Sequence, residues 1–557
     1  MKGAIKIYCV NTGNYHYIGG GSTISELYGL IADLIDFEPI CAKVNNKTVG
    51  LDFMLFSPLQ IEFIPRSAPS GRRVYTRSLS MILHKAIKDI FPMSRLRIEH
   101  SVSKGHYCIA HGEGVIITPE NINSIKERMI QIVKDDLPFI RHEALTKDVI
   151  EIFRENNLMD KVQLLECIHR VYSTYYTLGD TVDSYYSVLA PSSGAISEFD
   201  LVPYKEGMLL LSFDNDNPNV AATPIEQEKM YRAFTDQLDF NKVIGINNIG
   251  ELNKVVAEGR APLLINVAEV MHEKMIADIA EDIAKRFHNG GAKVVLIAGP
   301  SSSGKTTTTK RIGVHLVTNL IRPKMISLDD YFVNREQTPL DEYGEYDYES
   351  LYSLDLELFN SDLNRLINGE QVVIPKFNFE TGSRICNDGN AIKLESDEIL
   401  LIEGIHGLNP ELTAHIEERM KYRVYVSALT TLSIDDHNWI PTTDNRLIRR
   451  IIRDYKYRGT SANQTIARWQ SVRRGEEKWI FPFQENADAM FNSSLIFELA
   501  AYKDYAYPIL SSVPRDTPEY SEANRLLTFL DYFTNISPKQ IPATSLLREF
   551  LGGSLYE

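Results

Sequence analysis

The sequence contains no run of 18 apolar residues and no basic-then-apolar leader after Met1, which argues against a membrane span or a secretory signal. A cytoplasmic location is therefore expected. Cysteine is scarce, and Cys9, Cys41, Cys108, Cys167 and Cys386 are odd in number, far apart and without a C-x-x-C pair. Such spacing offers no zinc or redox motif, so free, buried thiols in a reducing compartment are expected. Positive charge is also short, with 59 Lys and Arg against 74 Asp and Glu and a net charge of -15. A general nucleic-acid binder would carry the opposite sign.

What is present is a length of 557 residues, enough for about three or four domains, with ordinary globular composition. Its sharpest feature is Gly299-Pro300-Ser301-Ser302-Ser303-Gly304-Lys305-Thr306, a complete G-x-x-x-x-G-K-[ST] loop. A strand-length apolar run, Lys293 to Ala298, precedes it and a helical stretch, Thr307 to Val317, follows, which is the context a phosphate-binding loop requires. Gly299 and Gly304 let the backbone fold around an anion, and the serines 301–303 and the helix start offer N–H groups. Lys305 adds a mobile charge, and the Thr306 hydroxyl suits a magnesium ion.

Two further strand-length runs end in acids. Lys324 to Leu328 leads into Asp329-Asp330, and Glu398 to Ile402 leads into Glu403-Gly404. In an open parallel sheet, carboxylates just past strand ends face the ligand crevice. Asp329 can accept a hydroxyl proton there, and Glu403 can hold magnesium directly or through water. Residues 441–480 run against the chain's overall sign, with ten Lys or Arg and four Asp or Glu. Within them Arg446, Arg449, Arg450 and Arg453 have helical spacing and Arg458 follows, a set whose guanidinium groups suit phosphate oxygens.

Together these pieces resemble the uridine kinase and phosphoribulokinase family over about residues 292–500, most strongly uridine–cytidine kinases. The resemblance implies an α/β P-loop kinase domain, a parallel sheet flanked by helices, that uses ATP and Mg2+ to phosphorylate the 5′-hydroxyl of a nucleoside. It implies Asp329 as base, with Lys305, Arg449 and Arg453 stabilising charge, and Thr307 and Arg458 at the nucleotide. The ribose-binding segment maps onto Asp347 to Asp355, with Tyr348 and with Glu349 where the family has an aspartate. The base-binding segment maps onto Pro375 to Arg384, placing Phe377, Phe379 and Arg384 at the acceptor with Phe332, Arg446 and Gln464. Phe377 stands for a tyrosine, and Gly382 for a histidine that in pyrimidine-specific relatives bonds the base, so the nucleobase is left open.

Ahead of this domain the chain reads as a small β-grasp-like module over residues 1–65, an α+β domain over 66–213, and a linker with helical connection over 214–291. Ala42-Lys43-Val44-Asn45-Asn46 resembles the TGS module. Arg77-Ser78-Leu79-Ser80, Ile98-Glu99-His100-Ser101 and Ile117-Thr118-Pro119-Glu120 resemble the second N-terminal domain of threonyl-tRNA synthetases. That domain's paired editing histidines are not matched: His84 has no partner four residues on, and His100 and His106 are six apart, which does not place them on one helical face. All three read as structural or surface histidines, and editing chemistry as absent. Asn266 is placed to cap a helix with Met271, Met275, Ile279, Ile283 and Phe287 as its packing face. The kinase domain is expected over 292–510, with a helical extension over 511–557.

Two other readings compete. One is a P-loop kinase of another small alcohol, such as a sugar phosphate or a pantothenate-like acid. The other is a nucleotide switch that senses RNA through the N-terminal domains, against which stand the acidic charge and the lack of an N-K-x-D motif after the loop. The partners expected are a small-molecule nucleoside, no membrane and no nucleic acid, with self-association left open.

Overall fold

A computed structural model describes residues 3–112, 117–385 and 390–556. Among the described residues, Cys9, Cys41 and Cys108 are buried free thiols and Cys167 is half-buried; Cys386 lies outside them. Burial pushes the Cys41 thiol up to about 12, which makes it inert at neutral pH. No described helix is long and apolar enough to cross a membrane.

The chain is multidomain. Residues 4–65 form a mixed five-stranded sheet in which Ala4–Cys9 and Leu59–Pro65 run parallel at the centre. A helix, Ile24–Ile31, is started by a capping box between Thr23 and Glu26 and buries Ile24, Leu27 and Ile31. Two of the strands carry little apolar signal: Asn14–Gly19 buries only Ile18, and Lys47–Val49 is three residues long and only partly buried.

The next region is α+β, with a four-stranded antiparallel sheet packed on the helices Pro69–Ile90 and Pro119–Lys134. A separate three-stranded sheet ends in the short strand Thr181–Asp183. Residues 228–288 are helical. Their last helix runs Ala261–His288, five residues ahead of the expected cap, because Pro262 sits in its first turn where a missing N–H costs nothing.

The C-terminal half is built on five parallel strands in the order 322–327, 398–403, 294–298, 421–427, 489–492. The central strand, Val294–Ala298, is buried at every position, as a strand covered by helices on both faces must be. Its C-terminal end opens into the phosphate-binding loop. The segment after residue 511 is no free appendage, since Leu526, Phe529, Leu546 and Phe550 belong to the same core as the sheet's buried face.

Candidate functional site

The loop between Ala298 and the helix Lys305–Thr318 folds as its glycines require. A Cβ on Gly299 would lie 2.0 Å from the Val426 carbonyl oxygen, and Gly304 has φ +85° with Leu546 methyls 2.8 Å from where its Cβ would be. Gly304 is also the helix N-cap, so no side chain caps the first turn. Its amides are open to an anion, reinforced by the helix dipole. The buried hydroxyls of Ser302 and Ser303 have no partner in the structure, and such orphan groups inside a cradle fit a polar ligand.

The loop is held from behind. The fully buried Glu476 accepts a hydrogen bond from the Ser301 N–H at 3.1 Å, and Arg446 donates both to Glu476 and, at 2.9 Å, to the Ser301 carbonyl. Arg449 donates to the Ser493 carbonyl at 2.9 Å and pairs with Glu498, while reaching the Ser302 carbonyl at 3.4 Å. Both arginines are essentially without solvent contact. Arg446 is expected at the acceptor and Arg449 in charge stabilisation; in this structure both reach loop carbonyls and buried glutamates from behind the loop, and Arg449 Nε is left without a partner. Arg450, a member of the same basic helix to which the resemblance gives no role of its own, donates to the Ser301 hydroxyl at 3.0 Å.

The cleft side carries a different set. The Thr306 hydroxyl donates to both Glu403 oxygens, at 2.9 and 3.0 Å, so the hydroxyl and carboxylate expected to share a metal touch. Lys305 donates to the Pro300 carbonyl at 3.2 Å. Burial lowers its pKa, opposed by the charges of Glu403 and Asp329. Burial pushes Arg453 down to about 10, with Arg458 adding repulsion. Asp329 touches solvent at the cleft mouth while protein crowds its other sides; that burial raises its pKa, and Lys305, Arg458 and Arg453 pull it back. Asp330, by contrast, is buried and accepts from Lys376 Nζ at 3.1 Å and the Phe377 N–H at 3.3 Å. It fastens the 376–385 hairpin to the strand end.

That hairpin brings Phe377 and Phe379 together with Phe332, ring centroids 5.2–6.2 Å apart, and Phe379 is 59% exposed. Gly382, the position the resemblance reads as a replaced histidine, turns the hairpin at φ +69°, and a Cβ there would lie 2.7 Å from Arg335 Nε. Arg335 fills that space and donates to the Phe379 carbonyl at 2.8 Å. No sequence motif marks Arg335, because only the fold places it beside the hairpin. Glu349 packs against Gly475, where a Cβ would come within 2.2 Å of the Glu349 Cβ. Tyr348 is exposed and edges Tyr346.

Three expected contacts have other partners. Arg384 pairs with Asp355 at 2.9 Å. Gln464 completes a capping box with Ser461, a signal the S-x-x-Q spacing carries on its own. The Thr307 hydroxyl donates to Glu549 at 2.7 Å, so the C-terminal segment reaches the loop's helix.

Glu349 and Glu403 share one electrostatic property. Burial, with Glu476 and Asp329 respectively adding repulsion, raises each to about 7. Between the ordinary value of 4.5 and about 7, the folded chain holds protons that the unfolded chain has released, so stability falls as pH rises through that window. We expect the metal-free protein to melt lower at pH 7 than at pH 5.5, and the Glu349→Gln/Glu403→Gln double variant to lose much of that slope. An unchanged slope in differential scanning fluorimetry would count against this assignment.

Comparison with known proteins places a known family over the region that carries this site. Residues 294–496 match the Phosphoribulokinase / Uridine kinase family, so the C-terminal region carries a domain of that family. A uridine kinase of Staphylococcus aureus is 27% identical over 196 residues, 35% of this chain and 84% of that protein. The N-terminal part matches threonine–tRNA ligases; that of Desulforamulus reducens is 28% identical over 183 residues, 33% of this chain. The matched stretch spans only 29% of that ligase. A solved structure described as a possible uridine kinase from Bacillus stearothermophilus aligns at 21% identity over 39% of this chain and 98% of its own, with a TM-score of 0.26.

Proposed function

We propose that this chain is an ATP- and Mg2+-dependent nucleoside kinase that transfers the γ-phosphoryl group to the 5′-hydroxyl of a nucleoside. The observation that carries the reading is the convergence, at the ends of three parallel strands, of an uncapped phosphate loop, the Thr306–Glu403 pair and Asp329. Thr306 and Glu403 fit magnesium, since a hydroxyl and a carboxylate are hard oxygen donors and Glu403, raised to about 7, is a carboxylate in want of a cation. Bound ATP and magnesium supply the transferable phosphoryl group and neutralise its oxygens.

The chain's own residues do the rest. Lys305, Arg453 and Arg458 put positive charge around Asp329, where charge develops during transfer. Asp329 takes the acceptor's hydroxyl proton, and its raised pKa makes it a stronger base than an ordinary aspartate. Glu349 accepts from ribose hydroxyls, and Phe332, Phe377 and Phe379 offer an aromatic shelf for the base. Arg335, in the space over Gly382, presents donors rather than an imidazole.

A coupled ATP-turnover screen of the full chain across purine and pyrimidine nucleosides, with sugar phosphates and pantothenate-like acids alongside, tests the proposal. We expect turnover with at least one nucleoside. Turnover confined to the other alcohols would replace the nucleoside with the runner-up acceptor class.

A further inference from the structure

We propose that His84, Asp183 and His437 bind a divalent transition-metal ion, zinc in the first instance, which staples the N-terminal α+β region to the kinase domain. Among the described residues these three side chains bring their ligand atoms within 4.8 Å of one another, and all are buried. His84 comes from the helix Pro69–Ile90 and Asp183 from the end of the strand Thr181–Asp183. His437 comes from the turn between Ser433–Asp435 and Asn438–Trp439, just ahead of the arginine-bearing helix Thr442–Arg458.

Both imidazole Nδ1 atoms meet one oxygen, Asp183 Oδ2, at 2.9 and 2.8 Å. The Tyr185 hydroxyl lies 3.0 Å from the same oxygen, a further oxygen donor at the site. Two imidazoles and a carboxylate are the donor set that suits zinc, and a tetrahedral ion about 2.0–2.1 Å from each ligand would hold neighbouring donors roughly 3.3 Å apart. Small outward shifts of the two rings admit it.

Charge points the same way. Asp160, Asp183 and Asp435 are all buried, and the single ammonium among them is Lys161, 3.0 Å from Asp183 Oδ1 and 2.8 Å from Asp435. Asp436 is also present, and its carboxylate is paired with Arg95. Three carboxylates sit against one lysine, and the Arg95 charge that pairs with Asp436 also reaches Asp160; with both imidazoles neutral the cluster is net acidic, and buried charge of one sign is costly unless compensated. A divalent cation between the two imidazoles supplies that compensation without a proton on either ring.

The surroundings are arranged as an outer shell. Lys161 takes the Asp183 oxygen that the imidazoles do not share, which orients the ligating carboxylate. Asp435 accepts from the backbone N–H groups of His437 and Asn438, at 2.9 and 3.0 Å, so the turn carrying His437 is fixed by its own hydrogen bonds. The ligands come from both sides of the boundary between the two regions, which is why no contiguous motif in the sequence announces them.

The test uses full-length, tag-free protein stripped by chelator and then titrated. We expect one equivalent of Zn2+ per chain by elemental analysis, a melting temperature that chelation lowers and zinc restores, and tetrahedral d–d absorption when Co2+ replaces zinc. The His84→Gln/His437→Gln double variant is expected to lose the tight equivalent, and Lys305→Ala to keep it. The cobalt spectrum of the unsubstituted protein needs no variant to fold. Wild-type protein that takes up no tight equivalent and shows no cobalt bands, or a double variant that keeps both, overturns the proposal and leaves a proton-shared His–Asp–His network.

Discussion

Asp329→Asn is expected to lower kcat by about two to four orders of magnitude while leaving ATP affinity nearly unchanged. Asparagine keeps the volume and the local Ser327-capped turn, in which the Asp329 N–H meets the Ser327 hydroxyl at 3.3 Å, but it cannot take a proton. Because burial raises the Asp329 carboxyl and Lys305, Arg453 and Arg458 only partly offset this, the wild-type rate should rise with pH as the carboxyl ionises. The variant should lose that limb of the profile. Asp330→Asn serves as the contrast: its carboxylate is engaged with Lys376 and the Phe377 backbone, so it should move KM for the acceptor more than kcat. A near-normal rate in Asp329→Asn would remove that residue from the base's role.

The second large effect is expected at a residue outside the cleft. Glu476→Gln neutralises the carboxylate that holds Ser301 N–H, Arg446 and Arg473 at once. Arg446 then stays fully buried without its counter-charge. Breaking one side of a buried pair costs about 3–5 kcal/mol, and at about 2–4 °C per kcal/mol for a domain of this size the kinase domain should melt roughly 6 °C lower or more. The loop loses its rear anchor in the same step, so ATP should bind at least about tenfold more weakly, a change of about 1.4 kcal/mol. Thermal unfolding and calorimetric titration with ATP measure the two effects; unchanged values in both would show that the loop does not depend on this brace.

The donor half of the site was legible because it is local. Gly299 to Thr306, with a strand before and a helix after, is a contiguous signal whose parts each have a backbone reason. Asp329 and Glu403 were legible for a related cause, since an apolar run ending in an acid marks the mouth of a parallel sheet. Arg446 and Arg449 were harder. Helical spacing identifies a basic face but not its partners, and Glu476 and Glu498, which engage them, lie on other helices. Gln464 carried a readable capping box that the family likeness overrode.

Other features had no local sign. That Leu546 and Glu549 return to the loop is a tertiary contact from the far end of the chain. Gly382 was read as a lost histidine. In the folded chain it is a left-handed turn residue with Arg335 over it, and a side chain there would strain the hairpin. The acceptor question therefore moves from Gly382 to Arg335 and the phenylalanine shelf.

The most direct test of the central claim is to identify the product. Full-length protein with magnesium, γ-labelled ATP and a mixture of purine and pyrimidine nucleosides should yield a labelled nucleoside 5′-monophosphate, with little or none formed by Asp329→Asn. ATP bound tightly at the loop but label found on no nucleoside would contradict the account.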